Sequence, residues 1–204
     1  MATLNDSLSS NQADRGVTAM TLSDIIKNRR SIQLYEEKTV PVEELKELLE
    51  TAIWVPNHKM TEPWRFVFIR GDSRKPLADI NRKLNEKGTT VEERNKNGEV
   101  AYKKIMDVPV FLMVVMNENP NMKLREEDYA ATSCVVHNFS LLAWEKGIGM
   151  IWKTNQLTTN EEVRATYDIQ PGEKIAAMLQ IGYPAKVPKE RPRKEAKTLI
   201  SEFK

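Results

Sequence analysis

The amino-acid sequence predicts an α+β protein, and two observations lead to that class. The predicted elements follow in the order helix, helix, strand, helix, loop, strand, helix, helix, strand and tail, without the regular alternation of doubly wound folds. The 204 residues are 40% hydrophobic and 29% charged, a balance typical of globular proteins and enough chain for one well-buried core. We therefore expect one domain over residues 21–204.

The first two helices are indicated by capping and by apolar spacing. Thr21 and Asp24 resemble a capping box at the start of the first helix. Pro41 suits the first turn of the second helix, and Pro56 is expected to end it. Apolar residues then repeat at helical spacing, at Leu45, Leu48, Leu49, Ala52 and Ile53.

The middle of the chain predicts one strand, one helix and an unstructured segment. Residues 64–69 (WRFVFI) are aromatic and β-branched, which favours a strand. Leu77, Ile80 and Leu84 indicate a helix that Gly88 closes. Residues 86–99 contain almost nothing to bury, so we expect an exposed, mobile segment.

The second half predicts two strands and two helices. Residues 108–116 form an apolar run that indicates a strand covered on both faces, and residues 174–182 indicate another strand. Residues 125–146 predict a long helix that ends at Gly147, followed by a helix over 159–167. The apolar residues of the long helix cover more than one face, which suggests burial on several sides, one of them against a second subunit.

Both ends of the chain are polar. Residues 1–20 lack the apolar core of a secretory signal and are expected to form a disordered tail. The last twenty residues are basic and interrupted by prolines, which favours an extended arm.

Composition argues against several classes of function. A net charge of +2 gives little support to a nucleic-acid or membrane surface, and no stretch is long and apolar enough to span a membrane. Cys134 is the only cysteine, so an internal disulfide is excluded and a cytosolic location is favoured. With His58 and His137 as the only histidines, a metal site is not expected.

Four segments, in order, carry a resemblance to a known family. They are residues 29–33 (RRSIQ), 56–66 (PNHKMTEPWRF), 147–154 (GIGMIWKT), and 181–184 (IGYP) with 191–193 (RPR). Together they resemble the FMN-dependent nitroreductase family, and the similarity extends over about residues 22–195. The resemblance implies a central mixed or antiparallel sheet flanked by helices, in a homodimer.

The first segment has the chemistry of a phosphate site. Guanidinium groups bind phosphate through paired, charge-assisted hydrogen bonds, and Arg29, Arg30 and the Ser31 hydroxyl could supply these from one short turn. The alternative is that the two arginines only complement the negative end of the first helix. The resemblance adds three cofactor-binding residues, namely Gln33, Arg191 and Arg193.

The resemblance places the second segment against the isoalloxazine ring of FMN, often from the partner subunit. By position, Asn57 and His58 contact the flavin and Trp54 lines the same wall. Taken alone, the segment would be a proline-bounded loop before a strand. The commoner family pattern has small hydroxyl residues and an Asn-x-Gln-Pro-Trp sequence here, where this chain has His58, Met60 and Glu62.

The third segment contains Gly147 and Gly149, which by themselves indicate a helix end and a turn. The resemblance implies that the following chain lies along the flavin. The Thr154 N–H would then meet flavin N5, with Trp152 and Lys153 beside it. No side chain is assigned as a general acid or base, because the cofactor carries the chemistry.

The implied function is a ping-pong oxidoreductase in which NADH or NADPH reduces FMN. A nitroaromatic, quinone or similar small acceptor then reoxidises it. Two alternatives stay open within the resemblance: a reductase of one specific metabolite, and a flavin-binding protein without turnover. A dimeric helical scaffold without cofactor is a third, which the arginines at both ends of the chain disfavour.

Overall fold

The computed structural model describes residues 20–204, so the tail predicted over residues 1–20 lies outside the described residues except for the exposed Met20. Ten principal elements follow one another. They are α1 (Leu22–Asn28), α2 (Val42–Ala52), β1 (Trp64–Arg70), α3 (Arg74–Asn85), α4 (Val91–Met106), β2 (Val110–Asn117), α5 (Met122–Glu145), β3 (Gly149–Lys153), α6 (Glu161–Thr166) and β4 (Glu173–Gly182).

The four strands form one antiparallel sheet in the order β1-β2-β4-β3. Strands that are distant in sequence are neighbours, and helices lie between them in the chain, so the α+β prediction is confirmed. β2 and β4 are the central strands, while β1 and β3 are at the edges. The register shifts between Val114 and Val115, where the β2–β4 ladder has a bulge.

The sheet is covered on both faces. On one face, Leu112 and Leu179 pack with residues of α2 and α5, including Leu45 and Phe139. On the other face, the alternate side chains of the same strands, such as Met113, pack against α3, α4 and α6. This alternation explains why β2 is an unbroken apolar run: successive residues enter different hydrophobic clusters.

The first helices form as their sequences predict. Thr21 and Asp24 make both bonds of the capping box of α1. The apolar stripe of α2 is buried at Leu45, Leu48, Leu49 and Ala52, as expected. Pro41 is the N-cap of α2 rather than a residue inside its first turn, and the helix ends at Ala52, four residues before Pro56.

The prediction of an unstructured segment over residues 86–99 is wrong. Residues from Val91 onward belong to α4. Thr90 and Glu93 form a complete capping box at its N-terminus. The buried side of α4 includes the small residues Gly98 and Ala101, which allow close approach to α3 and leave no apolar stripe to recognise. Its outer side is rich in Glu, Lys and Arg, which are good helix formers.

Two further differences concern α5 and β3. Within the chain itself, α5 buries Phe139 completely and leaves Leu142 and Trp144 half-buried, so one chain covers more of this helix than expected. The residues after Gly147 were expected to form a turn, and no strand was predicted there. They form β3, a five-residue edge strand paired with β4.

The chain after β4 contains no α-helix or strand and is largely exposed from Ala185 to the end, apart from a short 3₁₀ turn at Ala196–Leu199. Among residues 20–204, no helix is long and apolar enough to cross a membrane. The same residues contain no cluster of three or more His, Cys, Asp or Glu side chains arranged to hold a metal ion.

Candidate functional site

The first and third segments of the sequence analysis lie side by side. The Ile32 N–H donates a hydrogen bond to the Met150 carbonyl oxygen at 3.1 Å, and Ser31 forms a parallel bridge with Met150. Residues 31–33 therefore run along the outer edge of β3. A side chain at Gly149 would overlap Ile32, so this glycine permits the close approach.

Tyr35 fastens the same segment to the sheet. Its hydroxyl lies 2.7 Å from the Ile32 carbonyl oxygen and 2.8 Å from that of Gln180, so its single hydrogen can be donated to either of them. Burial raises the pKa of the Tyr35 hydroxyl well above its usual value, which keeps it a donor. Tyr35 belongs to no motif, so nothing in the sequence marks it as important.

Beyond Met150, the edge of β3 carries free backbone groups. The Met150 carbonyl points away from β4, because it accepts from Ile32. By strand alternation the main chain of Trp152 points the same way, and Thr154 follows one residue past the strand. The Thr154 N–H makes no hydrogen bond to a described residue. A ligand along this edge would therefore meet a backbone donor that no described residue uses.

The side chains of the strand alternate as well. Met150 packs into the cluster formed with α2 and α5, so Trp152 lies on that face of the sheet and Lys153 on the other. Trp152 remains partly exposed. Lys153 lines a broad groove of ≈ 1940 Å³ that also includes Gln33. That groove is lined by none of the predicted arginines.

Three arginines from opposite ends of the chain converge beside this edge. Burial, followed by the positive charges of Arg30 and Arg193, lowers the pKa of the half-buried Arg29 guanidinium. No carboxylate of a described residue lies within 4 Å of Arg29. We call Arg29, Arg30 and Arg193 the arginine cluster. Its charge is only partly compensated, which favours an anion.

The members of the arginine cluster differ in their bonds. Arg30 donates to the Lys27 carbonyl at 2.6 Å and the Arg29 carbonyl at 3.0 Å, and pairs with the exposed Glu190 at 3.2 Å. Arg30 therefore hydrogen-bonds carbonyl groups at the C-terminal end of α1, which agrees with the alternative role considered for the arginine pair. Arg193 donates to the carbonyl oxygen of Arg191 at 2.9 Å, and both side chains are exposed. Arg29 is the cluster's least engaged member.

The second segment forms a loop over residues 56–62, which we call the His58 loop. The His58 side chain is exposed, and Trp54, just before the loop, is 85% exposed. The Asn57 side chain is turned inward: Oδ1 accepts the Glu62 N–H at 2.7 Å, and Nδ2 donates to Thr61 Oγ1 at 3.0 Å. The polar groups of Asn57 are therefore used within the loop.

The predicted site residues thus form two groups. Arg29, Arg30 and Arg193 converge, and Ser31 and Gln33 run beside the strand that ends in Trp152 and Lys153. Trp54, Asn57 and His58 belong to a second group, which packs near α5. No hydrogen bond or ion pair between described residues joins the two groups.

Known proteins share this architecture over nearly the whole chain. The crystal structure of a nitroreductase-like family protein from Bacillus cereus superposes with a TM-score of 0.81, at 36% identity over 93% of this chain and 99% of that one. A protein of Desulfovibrio desulfuricans, described as a "putative nitroreductase in complex with fmn", gives a TM-score of 0.70 at 22% identity, over 91% and 99% of the two chains.

Sequence comparison leads to the same family. A protein of Bacillus subtilis (strain 168), named "Putative NAD(P)H nitroreductase YfhC", is 38% identical over 188 residues, which cover 89% of this chain and 94% of that protein. The family model described as "Nitroreductase family" matches residues 26–183, which extend from within α1 to just past the end of β4. The chain belongs to the nitroreductase family.

Proposed function

We propose that the protein is an FMN-dependent oxidoreductase that uses NADH or NADPH to reduce small electrophilic acceptors such as nitroaromatics and quinones. The observation that carries the proposal is the arginine cluster beside the open edge of β3. Arg29, half-buried and without a carboxylate partner, offers a site for a phosphate. The FMN complex of the Desulfovibrio relative and the name of the Bacillus subtilis protein support the same cofactors.

The residues present fit FMN at both of its ends. Arg29 and Arg193 would bind the phosphate, and the Ser31 hydroxyl stands at the start of the segment that leads along β3. The Thr154 N–H, which has no partner among the described residues, would donate to the edge of the ring system, beside Trp152. These residues match the anionic phosphate tail of FMN and its flat ring system, which carries acceptor atoms.

The chain's own contribution to the reaction is to bind and orient. When bound, a flavin accepts hydride from a nicotinamide and donates it to an acceptor. Trp152 would cover one side of the site and exclude water, and the Thr154 N–H would fix the ring edge. We assign His58 a binding role rather than proton transfer, because the cofactor carries the chemistry. NAD(P)H and the acceptor would use the same site in turn. We place this activity in the cytosol.

We further propose that the site is completed in a homodimer. Several apolar side chains are exposed on one chain: Leu22 is 65% exposed, Ile26 is 50% exposed, and Trp54 more so. A second copy packed over α1 and Trp54 would remove them from water. Such packing could also bring the His58 loop of one chain to the arginine cluster of the other, which the single chain does not do.

The dimer and the cofactor are therefore expected to depend on each other. FMN should shift the monomer–dimer equilibrium toward the dimer, because a ligand stabilises the state that binds it. Sedimentation velocity over a dilution series, read at a flavin-absorbing wavelength with and without FMN, measures this. A species of monomer mass that keeps its flavin would contradict a shared site.

The activity itself has a direct test. The purified protein is expected to be yellow, to release FMN on denaturation, and to oxidise NADH or NADPH when a nitroaromatic or quinone is added. Initial rates with both substrates varied should give parallel double-reciprocal lines, because the two substrates use one site in turn. A protein that takes up no FMN would refute the proposal, whereas a bound flavin that NAD(P)H does not reduce would indicate a flavin-binding protein without turnover.

A further inference from the structure

The His58 loop has an unusual backbone. Lys59, Met60 and Glu62 have φ angles of 59°, 49° and 41°, in the left-handed region that non-glycine residues rarely adopt. Glu62 also precedes Pro63, and a proline restricts the residue before it. Three such residues within four positions persist only where surrounding contacts hold them. The loop must therefore be fixed by specific bonds.

A chain of hydrogen bonds supplies that restraint. The Thr61 hydroxyl donates to Asp128 Oδ1 on α5 at 2.5 Å and accepts from Asn57 Nδ2 at 3.0 Å. Asn57 Oδ1 in turn accepts the Glu62 N–H at 2.7 Å. The relay connects a helix residue to both ends of the loop through one threonine.

The carboxylate end of this relay is unusual in its burial. Asp128 is only 4% exposed, and it has no ion-pair partner among the described residues. A buried carboxylate needs a strong donor, and the hydroxyl of Thr61 is that donor. The packing of α5 against the sheet and α2 fixes the position of Asp128. A rigid element therefore holds the strained loop.

We propose that Asp128 and Thr61 are positioning residues, which hold the His58 loop in its strained form so that His58 is presented to the ligand. This inference rests on the proposed function, because it takes the loop to contact the flavin. The inference also gives different roles to Asn57 and His58, which were both expected to contact the flavin. Asn57 uses its amide within the loop itself, and His58 keeps a free side chain for the ligand.

The test compares two substitutions of one residue. In Thr61→Val the hydroxyl is lost with little change in volume, whereas Thr61→Ser keeps it. We expect the Glu62 amide hydrogen to exchange at least about tenfold faster in the valine variant, and the FMN dissociation constant to rise by about tenfold. The serine variant should restore both values to near wild type. Asp128→Asn, which keeps the shape and removes the charge, should give an intermediate result.

Thr89→Val is the matched control, because the Thr89 hydroxyl also donates to a carboxylate, Glu93 Oε2, at 2.6 Å. It lies at the start of α4, and its loss should leave the exchange of Glu62 and FMN affinity unchanged. Unaltered Glu62 exchange in Thr61→Val would overturn the inference, and so would faster exchange with unaltered FMN affinity. If the wild-type protein binds no FMN, the proposed function fails and the role of the loop toward the ligand fails with it. The exchange measurement then still decides whether Thr61 holds the loop.

Discussion

Replacing Arg29 with alanine is expected to weaken FMN binding roughly ten- to hundredfold. One charge-assisted hydrogen bond contributes about 1.5–3 kcal/mol, which corresponds to that range of dissociation constants. Arg29 is the sharpest position for this test, because it has no carboxylate within 4 Å among the described residues and lies beside two like charges. Titration of the apo-protein with FMN, followed by flavin fluorescence, measures the change.

The same variant should not lose stability. Burial and the neighbouring charges of Arg30 and Arg193 disfavour the charged form of Arg29 in the folded protein, so its removal relieves repulsion. The urea midpoint of the apo-protein is thus expected to stay constant or to rise slightly. Arg94→Ala removes an equal charge from α4, away from the arginine cluster, and should leave FMN binding intact. If both substitutions weakened FMN binding equally, Arg29 would act only through the net charge of the protein.

Local signals in the sequence predicted most of the secondary structure. The α1 capping box and the α2 stripe involve residues three to eight positions apart, where sequence and spatial neighbours coincide. The prediction missed α4 because its contact with α3 uses Gly98 and Ala101, and small residues carry no periodic signal. It missed β3 because a five-residue edge strand that begins at Gly149, two residues after Gly147, looks like a turn.

For the candidate site, the residues themselves suggested only a phosphate site at the arginine pair, and the family resemblance supplied the other expected contacts. Arg29 and Arg193 are separated by most of the chain, and only the tertiary fold brings their charges together. The different bonds of Arg29 and Arg30 could not be distinguished either, since both belong to the same dipeptide. The positive φ angles of Lys59, Met60 and Glu62 contradict residue preferences outright, as strained functional loops tend to do.

Gly149→Val is expected to cause the largest loss of stability and to abolish cofactor binding. The sequence suggests that this glycine is needed for a turn, but the structure gives a steric reason. A Cβ atom there would overlap Ile32 Cγ1 and lie 2.9 Å from Pro184 Cγ. Ile32 is completely buried and cannot move aside. Such overpacking costs about 3 kcal/mol, which chemical denaturation of the apo-protein would measure.

The loss of FMN binding should follow from the same displacement. Forcing Ile32 away from β3 breaks its hydrogen bond to Met150, and with it the alignment of Ser31 and Arg29 to the strand edge at Thr154. Gly147→Ala provides the contrast. Gly147 has a φ of 74°, and a methyl group added there would meet no atom within 4 Å, so alanine costs about 1–2 kcal/mol of backbone strain and moves no neighbour. We expect Gly147→Ala to retain FMN affinity at its reduced stability. We expect Gly149→Val to bind no FMN, even under conditions where it is still folded. That difference would show that the Ile32–Met150 contact, rather than overall stability, aligns the two ends of the cofactor site. Normal FMN affinity in folded Gly149→Val would show that the edge of β3 is not part of that site.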